Sequence, residues 1–281
     1  MLKENFVPVA FDQWYLRQQK DEDGDFYRKI AGQGPRRNFD NTTQGFYIAE
    51  PDGKLYFYNN NRGPKRIKAL MKAALRDFKP GDFESIESKK IDKRFARQPP
   101  EGSQTLRVRS QILGGYGRTN DPWQRIFQTA ISRDNLWVLK DELKALEKGR
   151  FPEKLAMRIA RFHLVDNTRG EPPMWNRDDV KSVKIGLENN QIRGALKLEN
   201  ADQSRQFDVH LFGKLEWKAG KITKFDLVAR GLHEGEGRWT RGAPKGKFPL
   251  AIAFQLADGK DPADSVAPQG TKGWLRGYIE P

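Results

Sequence analysis

The chain has 281 residues, enough for about two domains that each have their own core. It contains no cysteine, which excludes disulfides, thiolate catalysis, iron–sulfur ligation and thiolate zinc sites. No apolar run approaches the ~20 residues of a membrane span, and no signal peptide follows Met1. The sequence therefore predicts a soluble chain, either cytoplasmic or secreted after loss of a signal, and leaves the compartment open.

The formal net charge is +14, from 51 basic and 37 acidic residues. The excess is concentrated in residues 61–120, which hold 15 basic and 6 acidic residues. A polyanion or nucleic acid is therefore one candidate partner, bound by the basic stretch 62–109. A solvated helix followed by a basic linker explains the same run without any partner.

Residues 1–80 are predicted to alternate between strands and helices. An apolar strand, "FVPVAFD" at 6–12, precedes a short helix over "DFYRKIAGQG". "GFYIAEPDGKLYFYNN" predicts an antiparallel hairpin that turns at Pro51-Asp52-Gly53. "GPKRIKALMKAALRDF" predicts an amphipathic helix with Pro64 in its first turn.

This order, with the strings "FVPVAFD" and "PDGKL", resembles the C-terminal half of the thioredoxin fold. The resemblance implies that the chain lacks the first strand and most of the first helix, of which "MLKEN" would be the tail. The family's CxxC motif is absent, and no proline stands near Thr42-Thr43-Gln44, where the family has its cis-proline. It therefore implies a redox-inactive scaffold and not a thiol oxidoreductase.

A sheet that lacks its first strand has an open edge, here expected beside Val7 and Val9, which favours self-association or internal capping. Residues 81–120 predict a basic linker that ends in an alternating strand, "TLRVRSQIL". We expect residues 104–113 to cap the open edge. Residues 121–170 predict a helical connector, with helices over "DPWQRIFQTAI", "KDELKALEKG" and "FPEKLAMRIARFHL".

Residues 171–281 have a hydrophobic period of two and predict an antiparallel β domain. Two hairpins are expected, with turns at Asn189-Asn190 and at Ala219-Gly220. "FPLAIAFQLAD" and "GWLRGYI" predict two further strands. The predicted fold class is thus α+β, with a six-stranded meander that forms an open barrel or a sandwich. The strings "FHLVDNTRGEPPMW" and "FPLAIAFQLAD" resemble uncharacterised bacterial β-rich proteins. Because no activity is known for that group, the resemblance does not suggest one here.

The loop "GLHEGEGRWTRGAPKGK" contains the one candidate metal site, with His233, Glu234 and Glu236 as ligands of a divalent metal. The spacing matches no zinc motif, because glycines interrupt the helix that HExxH requires. A flexible loop with incidental charges is the favoured explanation. Of the other histidines, His163 is expected to contact the last carbonyls of its helix, and His210 to face solvent from a strand.

Two aromatic–basic clusters are candidate ligand-binding sites, because such side chains stack on and pair with anionic or ring-bearing ligands. They comprise Trp14, Tyr15 and Arg17 in one cluster, with Trp14 and Arg17 as its candidate ligand-binding residues, and Arg238, Trp239 and Arg241 in the other. No residue is assigned a catalytic role.

The favoured function is a non-catalytic binding or scaffold protein whose partner is an unknown protein or small ligand. That interpretation expects an exposed apolar or aromatic patch. The alternatives are a metal-assisted hydrolase that uses the 233–236 loop and a polyanion binder that uses residues 62–109.

Overall fold

The computed structural model describes residues 1–61, 63–83, 90–95 and 97–281, apart from the side chain of Trp123. The chain divides into two compact units, residues 1–98 and 99–281. Within the described residues, no helix is long and apolar enough to cross a membrane.

The first unit is built from helices and one β-hairpin. The helix, hairpin and helix predicted within residues 25–78 are confirmed as α3, β1, β2 and α4, and α3 begins three residues earlier than predicted, at Glu22. The hairpin strands pair antiparallel, and Gly53 adopts a positive φ of 90° in the turn between them. The elements are α1 (Leu2–Asn5), α2 (Gln13–Leu16), α3 (Glu22–Gly32), β1 (Phe46–Ala49), β2 (Leu55–Asn59) and α4 (Pro64–Asp77).

The strand predicted at residues 6–12 is wrong. The segment pairs with no strand of the described residues, and Val7 is 88% exposed. Two local features oppose a strand here: Pro8 has no N–H to donate, and the Asp12 carboxylate accepts the Trp14 N–H, which caps α2. The likeness to thioredoxin stays a prediction.

The chain is α+β, as predicted, and the main component of the second unit is a curled antiparallel sheet that forms half of a barrel. The strands are β3 (Gln104–Ile112), β4 (Asp134–Val138), β5 (Val180–Glu188), β6 (Gln191–Glu199), β7 (Gln206–Lys218), β8 (Lys221–Glu234) and β9 (Phe248–Leu256). The helices are α5 (Pro122–Thr129), α6 (Lys140–Glu147), α7 (Glu153–Arg158) and α8 (Leu275–Ile279). A π-helical turn, Ile159–His163, continues α7.

The strand order of the sheet is β4-β3-β9-β8-β7-β6-β5. Strands β5 to β9 form the predicted meander, and both predicted tight turns have positive φ angles, as at Asn190 (63°) and Ala219 (50°). Residues 104–113 do not cap the first unit: β3 pairs with β9 and β4. The buried residues of β3, Leu106 and Val108 among them, belong to the core of the second unit. Burial in that core decides which sheet β3 joins, although the strand is close in sequence to the first unit.

Two further predictions in this unit are wrong. The predicted helical connector contains a strand, β4, because "NLWV" is a short apolar run whose type periodicity cannot decide. "GWLRGYI" forms the helix α8 and not a strand. The buried Arg158 guanidinium donates hydrogen bonds to the Tyr278 and Ile279 carbonyls. These two carbonyls are therefore not available to pair with a neighbouring strand.

One face of the sheet encloses α7, the π-helical turn and Trp175 in a continuous core. Three glycines on this inner face allow neighbouring strands to approach closely. A Cβ on Gly194, Gly213 or Gly231 would lie 2.7, 2.6 or 1.9 Å from a carbonyl oxygen of the next strand. The glycines therefore permit the strong curl, and the opposite face of the sheet is convex and exposed.

Candidate functional site

The predicted metal ligands do not converge. His233 and Glu234 are neighbours on β8, and consecutive residues of a strand point to opposite faces of the sheet. His233 faces the core at 2% exposure. The Glu236 carboxylate instead accepts the N–H groups of Gly242 and Ala243, at 2.7 and 3.1 Å, and so closes the loop. Among the described residues, no group of three His, Asp or Glu side chains could hold a metal ion.

The His233 imidazole borders a small buried pocket together with Asp166, Trp175 and Arg205. Arg205 stacks on the Trp175 ring, 3.9 Å from its centroid, and Asp166 lies 2.5 Å from Arg169. Burial lowers the pKa of His233 to about 4 and that of Arg205 to about 10. The free volume is about 10 Å³, room for one water molecule and for no organic substrate.

A second buried histidine resembles a catalytic relay in its contacts. His163 Nδ1 lies 3.2 Å from an Asp134 carboxylate oxygen, and its Nε2 lies 2.9 Å from the Tyr278 hydroxyl. The expected contact with helix carbonyls is thus replaced by a bridge between β4 and α8. Because the side chain of His163 is fully buried, this network holds the core together and does not face a substrate.

The two aromatic–basic clusters differ in exposure. Trp14 packs edge-on against Tyr15 and Phe95, and Arg17 donates to the Asn41 carbonyl. Trp239 is 64% exposed, with Arg238 stacked 4.7 Å from its ring centroid. Arg241 is exposed in the same loop. The loop cluster therefore remains a candidate surface, whereas Trp14 and Arg17 are engaged in packing the first unit.

A different basic surface lies on the convex face of the sheet, where the strand register aligns side chains in two adjacent rows. We call these two rows the basic platform. The first row is Gly186, Arg193, Phe212, Val228, Ala253 and Arg109. The second row is Lys184, Ala195, His210, Arg230, Ala251 and Gln111.

The platform carries four cationic side chains and no carboxylate. Among the described residues, none of the four lies within 4.0 Å of an acidic group. Just outside the two rows the charges are paired: Lys214 with Glu216 at 2.9 Å, and Lys224 with Asp226 at 3.4 Å. The cations of the platform are Lys184, Arg193, Arg230 and Arg109.

Phe212 stands in the middle of the platform and is 53% exposed. Within the described residues its ring has no aromatic or cationic stacking partner. The residues paired directly with Phe212 are Arg193 on β6 and Val228 on β8, and the diagonal position on β6 is the small Ala195. The result is an aromatic side chain that is accessible to a planar ligand.

Sequence reasoning missed this surface because its members come from six strands. One local signal was available: in "FDVHLFGK", Phe212 occupies the register of the polar residues Asp208 and His210. An aromatic residue in the solvent-facing phase of a strand indicates a binding surface more strongly than one in the core phase.

The basic stretch 62–109 is divided between the two units. Its described helix, α4, carries exposed cations, but Arg107 pairs with Asp258 and Asp264 in the second unit. Comparison with known proteins adds no assignment: no protein family, curated protein or solved structure matches this chain.

Proposed function

We propose that this protein is a non-catalytic binding protein and that it binds an anionic polymer on the basic platform. The observation that carries the proposal is the absence of any carboxylate from the twelve positions of the two rows, four of which are cations. Elsewhere on the same face, Lys214, Lys224 and Lys197 have acidic partners within 4.0 Å. Unneutralised cations on a solvated surface attract polyanions and release their counterions on binding.

The dimensions of the platform also favour a polymer over a small ion. Six strands carry the rows, and strands are spaced about 4.8 Å apart, so the platform is about 24 Å wide. Lys184 and Arg109 lie near opposite ends, with Arg193 and Arg230 between them. One small anion reaches at most two of these groups, whereas a chain of phosphates reaches all four.

The stripe of cations on α4 is the competing surface and supplies the matched control. Lys65, Lys68, Lys72 and Arg76 follow one another at spacings of three and four residues, which aligns them on one side of the helix. This stripe represents the polyanion alternative that the sequence suggested for residues 62–109.

We predict that the variant R109Q/R193Q/R230Q loses much more affinity for a polyanion than K68Q/K72Q/R76Q does. Both lower the net charge from +14 to +11, so general attraction is weakened equally. The measurement is fluorescence anisotropy of a labelled ten-residue abasic oligonucleotide, which has phosphates but no bases, at several salt concentrations. Each phosphate contact contributes about −0.7 to the slope of log K against log salt, so the platform variant flattens the slope by about 2.

Two results would contradict the proposal. If both variants weaken binding to the same extent, net charge and not the platform governs affinity. If only the α4 variant loses affinity, the polyanion site is the helix. Melting temperatures of both variants are compared with the wild type to show that the exposed substitutions leave the fold intact.

A further inference from the structure

We propose that the polymer is a single-stranded nucleic acid and that one of its bases stacks on Phe212. This inference rests on the proposed function, since it takes the cations of the platform as the phosphate-binding groups. It adds a role for the aromatic ring, which a polyanion without bases would not use.

The position of Phe212 within the register supports the role. Arg193 is its neighbour in the same row on β6, and His210 lies two residues earlier on β7, in the second row. The ring thus has a group that pairs with phosphates and a second ring beside it, while Val228 on β8 is its apolar neighbour on the other side. Every base has a π face, so one exposed aromatic side chain among cations binds single strands with little sequence preference.

The shape of the surface argues against a duplex. The sheet curls around its core, so the platform is convex, and its close strand contacts at Gly213 and Gly231 fix that curvature. A duplex has a persistence length of about 50 nm and cannot follow a curved surface a few nanometres across, whereas a single strand can. A duplex also keeps its bases stacked on each other, so none is free for Phe212.

The test compares two ten-residue oligonucleotides of equal charge, one of uridine and one abasic, with the full-length protein. Phe212→Leu keeps an apolar side chain but removes the π face. We expect it to weaken uridine binding about tenfold, the equivalent of about 1.4 kcal/mol of stacking, and to leave abasic binding unchanged. Phe212→Trp is expected to retain or strengthen uridine binding.

The matched control is Leu232→Ala, which removes an exposed apolar side chain of β8 outside the two rows. It is expected to change neither affinity. A ten-base-pair duplex is expected to bind more weakly than the single strand at the same salt concentration.

Each failure has a distinct meaning. If wild-type protein binds both oligonucleotides equally and Phe212→Leu changes neither, the base-stacking inference is overturned while the polyanion proposal stands. If duplex binds as tightly as single strand, the inference is likewise overturned. If the abasic probe does not bind and R109Q/R193Q/R230Q has no effect on uridine binding, the proposed function itself fails.

Discussion

The direction in which single side chains point decides what the basic platform and the pocket beside His233 can bind. On β7 and β8 adjacent residues face opposite environments, so His233 is enclosed by aromatic rings while Glu234 is not, and Leu211 is buried while Phe212 is exposed. A cluster that looks compact in sequence, such as 233–236, is thereby divided. Residues as distant as Arg109 and Arg230 are instead united on one face.

The buried imidazole of His233 leads to a prediction about pH. Burial lowers its pKa from 6.5 to about 4, against the opposing influence of Asp166 and with the support of Arg205 and Arg169. Above pH 6.5 neither state binds the proton, but between pH 6.5 and 4 the unfolded state binds it and the folded state does not. Folding stability therefore falls as the pH drops through that window.

We expect His233 to contribute a loss of about 2 kcal/mol in the free energy of unfolding between pH 7 and pH 5. The measurement is urea denaturation at both values for the wild type and for His233→Phe, which cannot titrate. The variant should show a smaller decrease. Equal decreases in the two proteins would show that the imidazole is not held neutral in the folded state.

At the scale of secondary-structure elements, backbone approach between strands sets the curvature of the sheet. Gly231 faces Val209 across the β7–β8 ladder, and a Cβ there would lie 1.9 Å from the Asp208 carbonyl oxygen. Gly186 lies in the outer register of β5, where the nearest atom to a Cβ is 4.0 Å away. Close packing of the strands therefore requires a glycine at position 231, whereas position 186 has room for a side chain.

We predict that Gly231→Ala destabilises the protein by about 3 kcal/mol, since the neighbouring backbone must move to admit a methyl group. Gly186→Ala is the matched control and should be neutral or slightly stabilising, because alanine restricts the unfolded chain more than glycine does. Thermal and urea denaturation of both variants test the pair. A tolerated Gly231→Ala would mean that the strands are not held this close together.

At the scale of the whole molecule, the two units differ in the extent of their cores. The continuous hydrophobic core lies entirely in the second unit and runs from Leu106 to Tyr278. Among the described residues, the buried apolar side chains of the first unit are few: Tyr27, Ala31, Met71 and Ala74. The second unit therefore has the means to fold independently.

We predict that residues 99–281 expressed alone form a cooperatively unfolding, β-rich domain. The buried ion pair between Arg158 and Glu142 lies within this range, as does the bridge of Arg107 to Asp264, so the division removes none of these partners. Far-ultraviolet circular dichroism and urea denaturation test the expectation. A fragment without a cooperative transition would show that the first unit is needed for the core to form.

The sequence by itself determined the elements whose signals are local. These are the hairpin around Gly53, the helix α3, the amphipathic helix α4 with Pro64 in its first turn, and the tight turns at Asn189-Asn190 and Ala219-Gly220. Period two over residues 171–281 likewise predicted the meander of β5 to β9 and the α+β class, although its last segment is the helix α8. In each case the information lies within a few residues, because turn chemistry and hydrophobic period are local properties.

Only the tertiary structure decided which partner each ambiguous segment joins. Residues 104–113 had a correct strand pattern but no local indication of their sheet, and "GWLRGYI" was too short for its period to distinguish a helix from a strand. The basic platform has the same origin, since its rows are set by the register of six strands. Register depends on non-local hydrogen bonds and on the shared core, so no window of the sequence contains it.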